Sequence, residues 1–142
     1  MDLDIKLSKN IVIPNDVFIE LSEWICDIVI CKTKLDSVPI ALTRRPKNYG
    51  QVDENGVTTW KTGFHAFFFN FLVTKQIAIQ IREGFLPFLD ELRQQYPIIN
   101  SSEDIFDQKI VPLGPTGLLM VGDRKPSCKN TPGYYFFFRS TY

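Results

Sequence analysis

Residues 60–70 read WKTGFHAFFFN and contain the only histidine of the chain, His65. The three phenylalanines at residues 67–69 are apolar enough to form a buried strand. Gly63, two residues before the histidine, lets the backbone turn tightly or lets a ligand approach closely. Two interpretations of His65 follow. It is either a packed core histidine or a polar group that a core strand carries to its exposed end.

Composition limits the classes of protein to which the chain can belong. Its 142 residues are enough for one domain with a real core, and its 44% apolar and 13% aromatic content is typical of a globular protein. Sixteen basic residues balance sixteen acidic ones, which argues against a nucleic-acid coat protein but allows a local basic path beside an acidic site. The three cysteines lack Cys-x-x-Cys spacing and are interpreted as reduced thiols. Because there is no apolar run of membrane-spanning length and no signal peptide, we expect an intracellular protein without a membrane partner.

Apolar and acidic side chains alternate over residues 1–5. In a strand, Asp2 and Asp4 would share one face about 6.6 Å apart, and the apolar residues would share the other. Like charges this close are unfavourable unless a cation neutralises them, and hard divalent cations prefer carboxylate oxygens. The alternative is a frayed acidic N-terminus.

Two amphipathic stretches predict the main helices. The first begins near Pro14 and continues to about Cys31 with an apolar stripe on one side. The second is capped by Thr74, and the interruptions at Gly84 and Pro87 predict either a kink or two helices in sequence.

Short apolar runs between these helices predict strands. The sequence DENG at residues 53–56 indicates a hairpin turn. Strands are predicted at residues 1–5, 38–43, 57–60, around His65, 118–121 and 134–138. Residues 101–107 form a short acidic connector. Because strands and two main helices interleave, the chain is expected to be a single α+β domain over residues 1–142.

A basic cluster follows the strand at residues 38–43 and contains Arg44, Arg45 and Lys47. Pro46 disfavours helix at the preceding residue, so the cluster is expected in an extended loop. Solvated surface charge is the default interpretation, and contact with a nucleotide or a template phosphate is the alternative.

Three pieces occur in order: Asp2-x-Asp4, Gly63-Phe64-His65, and Asp107 after two apolar residues; the glycine-containing basic segment at residues 118–128 follows them. This order resembles the archaeo-eukaryotic primase, or primase–polymerase, superfamily, in particular the N-terminal primase domain of poxvirus and giant-virus primase–helicases. The resemblance covers residues 1 to about 130. Each motif alone is weak, and their order, spacing and strand context carry the likeness.

The resemblance implies a fold and a reaction. The fold would be an RRM-like palm, a mixed or antiparallel sheet packed on two main helices. The reaction would be DNA-dependent nucleotidyl transfer that makes or extends primers during viral DNA replication, with a two-metal site of Mg²⁺ or Mn²⁺. Asp2, Asp4 and Asp107 would be the metal ligands.

The resemblance also implies phosphate contacts. His65 would contact the triphosphate of the incoming nucleotide, where a donor stabilises developing charge. Lys125 matches the lysine that reaches the same phosphates in the family. Lys61 and Arg124 are weaker candidates for this role.

The chain departs from the family in several places. Leu119 stands where the family usually has an arginine, which removes one expected phosphate or nucleotide contact. The loop that follows Asp107 is about one residue longer than usual, so Asp104 is an alternative third ligand. The family has sequence before the acidic pair and a helicase domain downstream, so a trimmed fragment, a stand-alone protein and a degenerate copy all remain open.

The expected partners are a single-stranded DNA template and nucleoside triphosphates, with a helicase domain or a hexameric primase–helicase assembly as a further partner. The expected location is the host cytoplasm or nucleus, at the site of virus replication. Two alternatives to catalysis are a catalytically inactive primase-like module that binds nucleic acid or nucleotide, and an unrelated viral interaction domain.

Overall fold

The computed structural model describes residues 1–69 and 73–106 together with the backbone of a strand at residues 135–141. The elements in chain order are β1 (Asp2–Leu7), α1 (Asn15–Thr33), β2 (Pro39–Arg44), β3 (Tyr49–Val52), β4 (Thr58–Phe68), α2 (Lys75–Gln95), α3 (Ser102–Ile105) and β5 (Tyr135–Thr141). The α+β class is therefore confirmed. The predicted strand at residues 118–121 lies outside the described residues.

The eleven-residue strand β4, which carries the sequence stretch around His65, is the centre of the sheet. The sheet has the order β1-β4-β2-β5, and β3 pairs with β4 outside this path. Trp60 and Lys61 pair with β1 on one edge of β4 and with β3 on the other. Every described strand pairing is antiparallel, so the antiparallel form of the expected sheet is the one observed.

One face of the sheet packs on the helices. Leu3, Ile5 and Phe64 are fully buried, and the ring of Phe18 in α1 stacks on Phe64 with the two centroids 5.1 Å apart. Burial of each such side chain contributes about 1.5–3 kcal/mol. Because successive residues of a strand point to opposite faces, the residues between these apolar ones lie on the other side of the sheet.

The second helix, α2, is one continuous element, so the alternative of two helices in sequence is wrong. Thr74 caps it as predicted, because its Oγ1 accepts a hydrogen bond from the N–H of Ile77 at 3.3 Å. Pro87 lies inside the helix and cannot donate a backbone hydrogen bond. The helix continues because its apolar stripe is buried on both sides of the proline, at Ile81, Phe85, Leu89 and Leu92.

The predicted hairpin turn between β3 and β4 is confirmed. The Asp53 carboxylate accepts hydrogen bonds from the N–H groups of Asn55 and Val57, each at 2.9 Å. Gly56 has a φ of 79°, a left-handed conformation that glycine adopts without steric cost.

The first arginine of the basic cluster is not solvated charge in a loop. Arg44 is the last residue of β2 and is 3% exposed. Its guanidinium donates to the Ile13 carbonyl at 2.8 Å and to Asn15 Oδ1 at 3.0 Å, and lies 4.6 Å from the ring centroid of Phe18. It therefore ties the segment before α1 to the sheet. The sequence prediction was wrong here because pairing with β4 extends the strand by one residue and directs this side chain into the core.

The longest helices in the described part of the chain are α1 and α2. Neither α1 nor α2 combines the length and the apolar character needed to cross a bilayer, and this holds for the described residues only.

Candidate active site

Antiparallel pairing of β1 with β4 brings the two sequence motifs together. Asp2 is opposite His65, and Asp4 is opposite Gly63. One row further along the strands, Lys6 is opposite Lys61. These six residues lie on the side of the sheet away from the helices, because each alternates with a core-facing residue. We call this surface the site face.

A close polar contact joins the first row. His65 Nε2 lies 3.2 Å from Asp2 Oδ1, and the two side chains are 3% and 29% exposed. Thr43 of β2 is the neighbour of His65 on the other edge of β4 and is fully buried. The ring of Phe67 meets the imidazole edge-on, with centroids 6.1 Å apart. His65 is therefore buried as the first interpretation expected, but on the face opposite the helix-packed core.

The second row holds Asp4, the more accessible of the two carboxylates on the site face. Asp4 is exposed, and its partner Gly63 has no side chain that could lie across it. Gly63 lies inside β4 and has no left-handed φ, so the prediction of a tight turn is wrong. Close approach of a ligand stays a prediction, and Gly63 itself is buried.

The connection between β2 and β3 lies beside Gly63 on the other edge of β4. Arg44 pairs with Phe64 and Tyr49 pairs with Lys61, so the four residues 45–48 stand opposite the two residues 62–63. Arg45 is 3% exposed and places its guanidinium 4.6 Å from the ring centroid of Tyr49, so it too is not solvated charge. Lys47 is the exposed member of the basic cluster.

A side chain that the sequence reasoning missed secures the outer edge of β1. Asn100 is 7% exposed and donates from Nδ2 to the Asp4 carbonyl at 2.8 Å. Its Oδ1 accepts from the N–H of Lys6 at 2.9 Å. The neighbouring Ile99 N–H donates to the Lys6 carbonyl at 2.9 Å. Nothing in a single sequence distinguishes this asparagine from an ordinary loop residue, because its partners lie more than ninety positions away.

The segment that leads towards Asp107 is anchored from α2. Arg82 is 7% exposed and donates to the carbonyls of Phe106 and Glu103, at 2.5 and 3.0 Å. Asp104 lies in the short helix α3 with an exposed side chain. Arg82 thus holds the chain in place up to residue 106.

Three predicted site residues, Asp107, Arg124 and Lys125, lie outside the described residues, as does Leu119. Within residues 1–69 and 73–106, no group of three His, Cys, Asp or Glu side chains converges closely enough to hold a metal ion. Asp104 therefore does not join Asp2 and Asp4 in such a group. The chemistry of the described donors nevertheless suits a hard divalent cation, because carboxylates on one face and two residues apart supply oxygen ligands. Any further ligands of such a cation would come from elsewhere in the chain, from substrate or from water.

Comparison with known proteins identifies a family. The sequence model of the family described as the C962R protein N-terminal AEP domain, where AEP stands for archaeo-eukaryotic primase, matches residues 1–137. No curated protein and no solved structure matches the chain.

Proposed function

Because the chain belongs to this archaeo-eukaryotic primase family, we propose that it is a primase-type nucleotidyltransferase that makes or extends a primer on a single-stranded DNA template. The observation that carries the proposal is the first row of the site face, where His65 Nε2 lies 3.2 Å from Asp2 Oδ1. Asp4 stands on the same face, exposed and opposite a glycine. An acidic pair beside a histidine on adjacent strands is the arrangement that the family resemblance requires.

The proposed reaction is attack of the primer 3′-hydroxyl on the α-phosphorus of a nucleoside triphosphate, with loss of pyrophosphate. Bound Mg²⁺ or Mn²⁺ would promote deprotonation of the attacking hydroxyl and neutralise charge on the leaving group. Asp2 and Asp4 would hold the metal ions, and Asp107 is the proposed third ligand. Because the two carboxylates come from one strand that is paired along β4, their separation is set by the backbone and needs little reorganisation on binding.

His65 contributes in two ways in this proposal. Its contact with Asp2 orients the carboxylate towards the metal position. Its imidazole lies beside that carboxylate, so it would also donate to an oxygen of the triphosphate held there. Lys125 and Arg124 belong to the proposal as further triphosphate contacts.

The RRM-like palm, the helicase partner and the location at a virus replication site are also parts of this proposal. An antiparallel sheet with two main helices on one face is compatible with such a palm.

The deciding experiment is primer extension on single-stranded DNA with Mg²⁺ and Mn²⁺ compared. The Asp4→Asn variant keeps the shape of the side chain and removes its charge. We expect at least a hundredfold loss of nucleotide incorporation with an unchanged urea midpoint, because Asp4 is exposed and contributes little to the core. Glu20→Gln is the matched control, since Glu20 is an exposed carboxylate on α1, in the layer opposite the site face. Full activity of the Asp4→Asn variant would contradict the assignment of Asp4 as a metal ligand.

The inactive primase-like module is the second candidate, and Leu119 in place of the family arginine is the observation that favours it. It predicts binding of single-stranded DNA or nucleotide by the wild-type protein without incorporation in either metal. The same extension assay, run beside a binding assay, separates the two functions.

A further inference from the structure

The third row of the site face places two like charges opposite each other. Lys6 and Lys61 are direct partners in the β1–β4 ladder, and both are half-buried. Like charges directly opposite on one face of a sheet are destabilising. Neither ammonium group forms an ion pair with a carboxylate in the part of the chain that the structure describes. A pair of this kind is a natural binding place for an anion that neutralises both charges.

The position of this row indicates which anion it binds. Rows on one face of a strand are about 6.6 Å apart, so the lysine row lies about 13 Å from the Asp2–His65 row, with Asp4 between them. The proposed triphosphate site is beside His65. The two lysines and the triphosphate site therefore lie on opposite sides of the proposed metal ligands. The nucleic-acid strand whose end reaches the metal site would approach from the side of the lysines.

An aromatic ring extends the same row. Tyr49 of β3 pairs with Lys61 on its other edge, so the order across the sheet is Lys6, Lys61, Tyr49. The buried guanidinium of Arg45 packs on one face of the tyrosine ring, 4.6 Å from its centroid. Cationic side chains that follow a phosphate backbone, next to aromatic rings that stack on bases, are typical of surfaces that bind single strands.

We propose that Lys6 and Lys61 bind the backbone phosphates of a single nucleic-acid strand and guide it to the Asp2–Asp4 site. This inference rests on the proposed function and gives Lys61 a role on the nucleic-acid strand instead of on the triphosphate. The ligand class is a single-stranded polyanion, recognised through its charge, so binding is independent of base sequence.

The test is fluorescence anisotropy of a labelled oligothymidylate and a labelled oligoadenylate with the full chain, titrated over a range of NaCl concentrations without catalytic metal. Lys6→Gln and Lys61→Gln should each weaken binding of both oligonucleotides severalfold. Each substitution should also reduce the slope of log K against log salt by about 0.7, the value for one phosphate contact to a single strand. Lys75→Gln, at the exposed first residue of α2, is the matched control and should change neither quantity.

A parallel titration with a nucleoside triphosphate separates the two phosphate sites. Unchanged triphosphate affinity in both variants supports the proposal. The proposal is overturned if the two lysine variants show the same salt slope as the control, or if they lose affinity only for the triphosphate. Thermal unfolding of the variants excludes misfolding, because removal of one charge of a like-charged pair should leave the melting temperature equal or higher. These titrations measure binding and not turnover. An inactive wild-type protein would therefore contradict the proposed function, but the binding results could still be interpreted.

Discussion

Asn100 Nδ2 lies 2.8 Å from the main-chain carbonyl oxygen of Asp4, so a side chain from beyond α2 holds the backbone of a proposed metal ligand. The same amide accepts a hydrogen bond from the N–H of Lys6, so at the outer edge of β1 it does the work of a strand neighbour, which the described residues do not supply there. The two rows of the site face that contain Asp4 and Lys6 are thereby fixed from both edges, by β4 on one side and by Asn100 on the other.

Replacement of Asn100 by alanine should therefore affect both stability and the metal site. We expect a loss of about 1–3 kcal/mol in the free energy of unfolding, because a buried donor and acceptor lose their partner. The metal concentration needed for half-maximal incorporation should also rise, since Asp4 is then less well positioned. Urea denaturation and a Mg²⁺ titration of primer extension measure the two effects. Asn10→Ala, at an exposed position, is the control. A destabilised variant with an unchanged metal requirement would limit Asn100 to a structural role.

His65→Gln tests whether the buried histidine serves the site or only the packing. Glutamine keeps a polar group next to Asp2, so the free energy of unfolding should fall by less than about 2 kcal/mol. Binding of a nucleoside triphosphate should weaken about tenfold or more, equivalent to at least about 1.4 kcal/mol, because the proposed phosphate donor is lost. Calorimetric titration and urea denaturation provide the two numbers. A loss of several kcal/mol in stability with unaltered nucleotide affinity would make His65 a core residue.

Alanine substitutions of Arg44 and Lys47 should differ sharply in their effect on stability, although the two residues lie only three positions apart in one basic cluster. Arg44→Ala leaves the Ile13 carbonyl without its donor and opens space beside Phe18, so we expect a destabilisation of at least about 1–3 kcal/mol. Lys47→Ala removes an exposed side chain and should change stability by no more than about 0.5 kcal/mol. Urea denaturation of both variants gives the comparison, and equal effects would contradict the inward position of Arg44.

Thiol reactivity should distinguish the two described cysteines. Cys31 is exposed, whereas burial, reinforced by the negative charges of Asp27 and Glu23, raises the pKa of Cys26 to about 12. Since the thiolate is the reactive form, Cys26 should resist alkylation at mildly alkaline pH while Cys31 is modified rapidly. Mass spectrometry of the Cys128→Ser protein after iodoacetamide treatment should show one label in the native state and two in urea. Rapid double labelling of the native protein would contradict the buried position of Cys26.

Much of the local structure could be predicted from the sequence. The alternation in residues 1–5, the cap at Thr74 and the turn at Asp53 each depend on groups only a few positions apart, and all three predictions are confirmed. Asp2 and Asp4 on one face follow from the same alternation. The family also follows from motif order, as the match over residues 1–137 shows.

Contacts between distant parts of the chain could not be predicted in this way. The approach of His65 to Asp2 joins residues sixty-three positions apart and depends on the register of β1 against β4. That register is favoured by burial of Leu3 against the helices on the same face as Phe64, since a slip of one residue would turn the apolar set towards the site face. The inward turn of Arg44, which the sequence led us to expect as loop charge, was decided by the same long-range pairing.

The sequence by itself determined the two main helices, the turn, the acidic pair and the family, because these depend on short-range pattern and motif order. Only the tertiary structure decided that Lys6 faces Lys61, that Asn100 holds β1 and that His65 is buried beside a carboxylate. The physical reason is that hydrophobic burial selects one strand register for the whole sheet, and that register then fixes every polar neighbour on the opposite face.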